Sequence, residues 1–240
     1  MSQTVSESLV QKDNELKKHS VSHFMFRQVI LDFDGVILES VSVKTEAFRT
    51  LFSQEQDHVN EIVEYHIKNG GMSRFEKFRY IYKHILKKNL DQDTFNSLSE
   101  QFSGLVFQGV LDAPFVAGAE RFLERWNTRI PLSIVSATPE QELNEILRAR
   151  NLTRYFRNVF GAPSKKADCI QRIITESGVP ASGVLFVGDA LNDLAAARLS
   201  GVNFIGRTRD GDEDIFKNCT GVERTITDLN ELSRYLESAI

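Results

Sequence analysis

Acidic side chains recur at the ends of short apolar runs in this chain. Asp32 and Asp34 close the first run, and Asp189 and Asp193 follow a later one, in the segment FVGDALND. Carboxylates gathered at one point would repel one another unless a cation lay among them, and Mg²⁺ prefers such oxygen ligands. One carboxylate of the group could also attack phosphorus, because aspartate forms aspartyl-phosphate intermediates. The four residues therefore point to a magnesium site that transfers phosphoryl groups.

A hydroxyl and a pair of lysines follow two further apolar runs. Ser136 ends the run that begins at Pro131, and Lys165-Lys166 follows Val159-Phe160. Phosphoryl transfer needs hydrogen-bond donors around the phosphate oxygens and positive charge beside them. These residue types supply both.

The apolar runs predict buried strands that alternate with helices. Runs rich in branched residues occupy 28–33, 131–136, 159–160, 183–187 and 202–205. Apolar residues at three- and four-residue spacing predict helices over 119–126, 139–150, 167–177 and 192–200. Alternating strands and helices are typical of an α/β fold with a doubly wound parallel sheet. Ligands bind at the carboxyl ends of such strands, where the polar residues above are expected to meet.

One long segment breaks the alternation, because it has helical spacing and no convincing strand. We predict an inserted all-helical cap domain over residues 43–110 and an α/β catalytic core formed by residues 25–42 and 111–240. Residues 1–24 are polar and mixed in charge, and they lack the apolar stretch of a secretory signal. We expect them to form a flexible N-terminal extension.

The overall composition excludes several classes of protein. The net charge of −4 argues against a general nucleic-acid binder, and no apolar run approaches the length of a membrane span. Only Cys169 and Cys219 are present, which excludes a disulfide-built secreted scaffold and fits a cytoplasmic location. Composition leaves the oligomeric state open.

The order of these motifs resembles the haloacid dehalogenase superfamily. DFDGVILES at residues 32–40, Ser136 after the next strand, a lysine, and GDALND at residues 188–193 are similar to its phosphatase branch. That branch includes phosphoglycolate phosphatases and β-phosphoglucomutases, which carry a helical cap after the first motif. The resemblance spans roughly residues 27 to 210 and implies a Rossmann-like core. Four ordered motifs at strand ends are more specific than a lone Asp-x-Asp-Gly.

The resemblance implies roles for the residues of the first two motifs. Asp32 would be the nucleophile that accepts the phosphoryl group, with its other oxygen on Mg²⁺. Asp34 would protonate the leaving alcohol and then activate water, while its backbone carbonyl touches the metal. Ser136 and the Ala137 N–H would hold phosphate oxygens.

The resemblance also implies roles for the later motifs. Asp189 would be a ligand of Mg²⁺, and Asp193 would complete the metal site or orient the lysine. Some relatives carry Gly-x-Pro-x-x-Lys, which residues 161–166 match, so Lys166 rather than Lys165 is expected to be the catalytic lysine.

The segment GGMSR at residues 70–74 allows two interpretations. Its glycines could end one helix while Ser73 caps the next. Alternatively, Arg74 could reach a substrate anion or hydroxyl when the cap closes, as the similar segment of phosphomutase-like relatives suggests. Lys44 stands where mutase-like relatives carry a histidine, and this difference favours hydrolysis.

We therefore expect a Mg²⁺-dependent phosphoric monoester hydrolase that acts through an aspartyl-phosphate intermediate. Its substrate would be a small phosphorylated metabolite, either a sugar phosphate or a phosphoglycolate-like compound. One alternative is a phosphomutase of the β-phosphoglucomutase type, which returns the phosphoryl group to its substrate. Another is a non-catalytic binding or scaffold protein, although such a protein would be expected to have lost Asp32, Asp34 or Asp189.

Overall fold

A six-stranded sheet forms the centre of the computed structural model, which describes residues 26–239. Its strands are β1 (Gln28–Leu31), β2 (Leu132–Pro139), β3 (Asn158–Ala162), β4 (Val184–Gly188), β5 (Asn203–Arg207) and β6 (Arg224–Ile226). All neighbouring strands are parallel, in the order β3-β2-β1-β4-β5-β6. The predicted α/β fold is confirmed. The extension predicted for residues 1–24 lies outside the described residues.

Within that part of the chain, nine α-helices surround the sheet. They are α1 (Val41–Leu51), α2 (Val59–Lys68), α3 (Arg74–Tyr80), α4 (Gln92–Asp112), α5 (Ala119–Trp126), α6 (Glu140–Ala149), α7 (Lys166–Ser177), α8 (Leu191–Ser200) and α9 (Leu229–Ser238). A π-helical turn, Ile81–Ile85, continues α3. The sequence pattern located α5 to α8 to within about one residue, because each carries a regular apolar stripe.

Side chains alternate across the sheet and build two apolar layers. Val29 and Leu31 of β1 face a cluster shared with α5, α6 and α9. Ile30 faces the other side, where α7 and α8 pack. Because both faces are covered, the central strands β1 and β4 are buried along their whole length, as expected of a parallel sheet.

The largest differences from the predicted strands occur at β2 and β6. β2 continues to Pro139 after an irregularity in its pairing with β3, so Pro139 precedes α6 instead of lying inside it. β6 was not predicted, because a strand of three residues that begins with an exposed arginine has little apolar pattern.

Helices α1 to α4 lie between β1 and β2 in the chain, and residues 41–112 are called the helical insert below. Aromatic rings fill its interior: Phe48 lies 4.8 Å from Phe102 and 5.8 Å from Phe78 between ring centroids. These rings belong to the same buried cluster as Leu31 of the sheet. The insert is therefore packed onto the core through a continuous apolar contact.

Side chains cap two helices of the insert. Ser73 accepts a hydrogen bond from the Glu76 N–H at the start of α3, and Asp91 accepts one from the Thr94 N–H at the start of α4. Each cap satisfies a backbone donor that the first helical turn leaves free.

Among residues 26–239, no helix is both long enough and apolar enough to cross a bilayer.

Candidate active site

Three carboxylates meet at the carboxyl ends of the two central strands. Asp32 directly follows β1, Asp189 directly follows β4, and Asp193 lies in the first turn of α8. One carboxylate oxygen from each lies within 4.8 Å of the others. The strands bring them together because β1 and β4 are paired in parallel and end at the same edge of the sheet.

The close approach of these residues requires glycine in the adjoining loop. Gly35 has a φ of +72°, and a Cβ at this position would lie 2.0 Å from Oδ2 of Asp189. Any other side chain would displace that carboxylate or strain the backbone. The glycine of the DFDG motif is thus explained by the contact between the first and last motifs.

Lys166 joins two of the carboxylates. Its ammonium, at the first residue of α7, donates to Oδ2 of Asp32 at 2.6 Å and to Oδ1 of Asp193 at 2.5 Å. The remaining oxygen of Asp193 accepts the backbone N–H of Ala190 at 3.0 Å. Asp193 is therefore held at both oxygens and in turn orients Lys166. Lys165 is exposed and caps the helix.

Electrostatics in the cluster favour an added positive charge. Burial, opposed by Lys166 and assisted by the charge of Asp193, raises the pKa of Asp32 to about 7. Burial and the neighbouring Asp32 and Asp193 raise the pKa of Asp189 well above its usual range. Burial opposes the charged form of Lys166 too, but Asp193 and Asp32 raise its pKa overall.

These carboxylates fit a hard divalent cation. Their oxygens are close enough to share one ion, and a cation would relieve the repulsion that raises the pKa values of Asp32 and Asp189. Oxygen donors with little nitrogen or sulfur nearby suit Mg²⁺ rather than a soft metal. Asp32 and Asp189 are the expected side-chain ligands, because both line the cavity between the strand ends and the helical insert, whereas Asp193 does not.

A second polar group surrounds Asp34. Its Oδ1 accepts the Ser40 hydroxyl at 2.6 Å, and its Oδ2 accepts the Thr138 hydroxyl at 2.9 Å together with the Lys44 ammonium. Although burial alone would raise it, the pKa of Asp34 is lowered by Lys44 and by these hydrogen bonds. Lys44 also donates to the Thr138 hydroxyl at 2.7 Å, so the three side chains form a closed network.

A cavity of about 130 Å³ connects these groups to the helical insert. The strand-end side contributes Asp32, Asp34, Asp189 and the Ser136-Ala137 segment of β2. Ser136 is buried, and its Oγ accepts the Thr138 N–H at 3.2 Å. The insert contributes residues from α1, α2, α3 and the loop between α2 and α3: Val41, Lys44, Thr45, His66, Ile67, Gly70, Gly71, Met72 and Lys77.

Arg74 does not line this cavity. Its guanidinium donates to both carboxylate oxygens of Glu142, at 2.6 and 2.9 Å, and to the Ser103 hydroxyl at 2.8 Å. The α3 helix begins at Arg74, and Glu142 lies in the first turn of α6. Ser73 caps the helix, as the first of the two interpretations proposed.

Some polar side chains in or beside the cavity were given no catalytic or binding role from the sequence: Lys44, Thr45, His66, Lys77 and Thr138. Lys77 carries a recognisable signal, since it falls on the buried stripe of α3 and its π-helical continuation, with Phe78 and Ile81. A cation on an apolar stripe is unusual. His66 lies on α2 beside Ile62 and Val63, and nothing in its spacing distinguishes it from a core histidine.

Comparison with known families gives a match over most of the chain. Residues 29–207 match the family model described as haloacid dehalogenase-like hydrolase. The match includes the strand ends that carry Asp32, Ser136, Lys166, Asp189 and Asp193.

Individual proteins show the same likeness. A phosphoglycolate phosphatase of Pseudomonas fluorescens is 24% identical over 196 residues, which cover 75% of this chain and 68% of that enzyme. A solved haloacid dehalogenase-like family hydrolase from Streptococcus pneumoniae superposes with a TM-score of 0.67 at 15% identity, covering 88% of this chain and 98% of that one. CbbY from Rhodobacter sphaeroides, solved in complex with phosphate, superposes with a TM-score of 0.67 at 17% identity. The superposition covers 86% of this chain and 96% of that one.

Proposed function

This chain belongs to the haloacid dehalogenase-like hydrolase family, and we propose that it is a Mg²⁺-dependent phosphatase of a small phosphorylated metabolite. The observation that supports this most strongly is the meeting of Asp32, Asp189 and Lys166 at the ends of β1 and β4 and the start of α7. A nucleophile, metal ligands and a fixed positive charge are what phosphoryl transfer requires. The similarity to phosphoglycolate phosphatases agrees with this reaction.

In the first step, Asp32 attacks phosphorus and the bond to the leaving-group oxygen breaks. The N–H of Phe33 and the ammonium of Lys166 fix the two oxygens of Asp32, at 2.6 Å each. Such fixed geometry lowers the entropic cost of an in-line attack. Ser136 and the N–H of Ala137 lie in the same cavity wall and would hold phosphate oxygens.

In the second step, water attacks the aspartyl-phosphate and Asp32 is released. Asp34 lies in the same cavity and is the side chain that would take the proton of this water. Lys44 and Thr138 favour its charged, proton-accepting form. For the first step the same carboxyl group would have to carry a proton, which it would give to the leaving alcohol. The proton taken from water in the second step would replace it.

The bound metal ion would neutralise negative charge on the transferred phosphoryl group. Asp32 and Asp189 would hold it through carboxylate oxygens, with the Asp34 backbone carbonyl as a further ligand. Lys166 and Asp193 keep Asp32 in place from the other side.

The helical insert would act as the cap that selects the substrate, with the α/β core supplying the chemistry. The insert forms one wall of the cavity, whereas the strand ends form the other. The helices of residues 41–112 support a division near the proposed residues 43–110. Both cysteines are free, which agrees with a reducing, cytoplasmic location.

Two measurements test the proposed function. Purified protein with Mg²⁺ is expected to release phosphate from p-nitrophenyl phosphate and from members of a panel of carboxylate and sugar phosphates. Mass spectrometry of acid-quenched enzyme is expected to place the phosphoryl group on the peptide that carries Asp32. Absence of phosphate release from every substrate, or full activity in excess chelator, would refute the proposal. Isomerisation of a sugar phosphate without phosphate release would favour a mutase instead.

A further inference from the structure

A buried lysine in the cavity wall has no part in the steps above. Lys77 of α3 is only 3% exposed, and it lines the cavity together with Asp32 and Asp189. The other buried lysine and arginine side chains of residues 26–239 each bind a carboxylate: Arg74 binds Glu142, Lys166 binds Asp32 and Asp193, and Arg207 binds Glu39. Among the same residues, no carboxylate lies within ion-pair distance of Lys77.

The Lys77 ammonium lies 5.6 Å from the centre of the Phe48 ring, and His66 supplies its two hydrogen-bond acceptors. The ammonium donates to Nδ1 of His66 at 3.0 Å and to the His66 backbone carbonyl at 3.1 Å. Burial and the charges of Lys77 and Lys44 lower the pKa of His66 to about 3, so the ring is neutral and can accept this bond. The ring also stacks on Phe48, with 4.3 Å between centroids.

One hydrogen-bond donor of this ammonium remains available to a ligand. An ammonium has three N–H groups, and two of them are bonded to His66. The described residues provide no acceptor for the third. A fixed and buried cation with a spare donor, in the wall of a cavity, is suited to binding an anion.

Lys77 lies on the side of the cavity where the leaving group must be. The phosphoryl group is held at the strand ends, because Asp32 and Ser136 lie there. His66 and Lys77 belong to α2 and α3 of the helical insert, which forms the opposite wall. The rest of the substrate therefore extends from the strand ends towards these two residues.

The cavity favours a small leaving group. Its volume of about 130 Å³ is below the roughly 300–1,000 Å³ of most small-molecule sites, and the phosphoryl group must occupy part of it.

Resting on the proposed function, we infer that Lys77 is a specificity-determining residue that binds a carboxylate on the leaving group. The substrate is then the phosphomonoester of a small hydroxy acid rather than a neutral sugar phosphate. His66 acts as a positioning residue for the ammonium. The carboxylate supplies the counter-charge that Lys77 lacks within the protein.

The electrostatics of the cavity agree with this assignment. Burial and the positive charges of Lys44 and Lys166 lower the pKa of Lys77 to about 7. A bound carboxylate would favour the charged ammonium and strengthen the contact. Hydrogen bonds between charged groups contribute about 1.5–3 kcal/mol, which corresponds to roughly 10- to 100-fold in binding.

The test compares two esters that differ in charge but hardly in size. Phosphoglycolate carries a carboxylate where 2-hydroxyethyl phosphate carries a neutral hydroxymethyl group. The unaltered enzyme is expected to prefer phosphoglycolate by about tenfold or more in kcat/KM. Lys77→Met should remove that preference, mainly by raising the KM for phosphoglycolate, and should change kcat/KM for 2-hydroxyethyl phosphate by less than about threefold. Lys83→Met, an exposed lysine six residues later, is the matched control and should behave like the unaltered enzyme.

Three results would each overturn the inference. The first is an equal kcat/KM of the unaltered enzyme for both esters, and the second is an equal loss of kcat/KM for both esters in Lys77→Met. The third is faster hydrolysis of ethane-1,2-diyl bisphosphate than of phosphoglycolate. Lys77→Gln replaces Lys77→Met if the latter does not fold. If no ester is hydrolysed, the proposed function fails. Whether Lys77 binds a carboxylate is then tested separately, by measuring ligand binding with calorimetry. In that case 3-phosphonopropionate must bind the unaltered protein more tightly than propylphosphonate, and Lys77→Met must abolish the difference; otherwise the inference is wrong.

Discussion

Arg74 of the helical insert and Glu142 of the core form a two-point ion pair that is almost completely buried. Ser103 of α4 donates to the same carboxylate at 2.7 Å, and the Arg74 guanidinium lies 4.5 Å from the centre of the Phe102 ring. The contact joins residues that are 68 positions apart. It therefore fastens the insert against the core, outside the cavity of the candidate active site.

Removing one partner of this pair should destabilise the protein strongly. Arg74→Met retains apolar contact with Phe102 but leaves the Glu142 carboxylate buried without its cation. We expect a loss of about 3–5 kcal/mol in the free energy of unfolding, measured by chemical denaturation. The double variant Arg74→Met with Glu142→Leu should recover part of this loss. Equal stability of Arg74→Met and the unaltered protein would show that the pair does not hold the insert to the core.

Asp32→Asn should abolish turnover and preserve the fold. The amide cannot form the aspartyl-phosphate, so kcat should fall on the order of 10⁴-fold or more in a phosphate-release assay. Asp93→Asn is the control, because Asp93 belongs to a second Asp-x-Asp sequence at the exposed start of α4. Its activity and its circular dichroism spectrum should match those of the unaltered protein. Residual turnover above a few per cent in Asp32→Asn would exclude its role as the nucleophile.

Binding of Mg²⁺ should weaken as the pH falls through neutrality. The pKa of Asp32 is raised to about 7 and that of Asp189 is raised as well, so a metal ion must displace protons from these carboxylates. Protons therefore compete with the metal more strongly at lower pH. We expect the apparent Mg²⁺ affinity, measured by calorimetry, to fall about tenfold or more between about pH 8 and about pH 6. An affinity that does not change over this interval would mean that neither carboxylate binds the ion.

Lys77→Met should stabilise the protein near neutral pH. The pKa of Lys77 is about 7 in the folded chain and 10.5 ordinarily, so the unfolded state binds more protons between these values. Stability of the unaltered protein therefore rises with pH across this window. The variant has no ammonium to bury. Its free energy of unfolding should exceed that of the unaltered protein by on the order of 3 kcal/mol at about pH 7, and this difference should shrink towards about pH 10. Urea denaturation at both pH values measures it. A destabilised variant at about pH 7 would show that the His66 contacts outweigh the cost of burying the charge.

The sequence predicted the strand ends well because the signals there are local. Asp32 and Asp189 each follow an apolar run directly, and the pairing rules of a parallel sheet bring the ends of such runs together. The helices of the core were predicted for the same reason, since Phe122 and Trp126 of α5 mark its buried face at four-residue spacing.

Contacts between the insert and the core could not be predicted in this way. The partner of Arg74 is a glutamate in the first turn of α6, and no short-range pattern relates two residues so far apart in the chain. The pairing of Lys77 with His66 likewise depends on how α2 packs against α3. Such packing is decided by the fit of side chains in three dimensions rather than by spacing along one helix.

The position of Asp32 directly after β1, an interior strand of the sheet, has a consequence for how such an enzyme can diversify. The proposed nucleophile follows backbone that is paired on both sides and covered on both faces. Lys77 is carried by a segment that enters and leaves the core between two consecutive strands. Substitutions in that segment can change which substrates bind without altering the residues at the strand ends. Substrate specificity can therefore evolve while the reaction itself is retained.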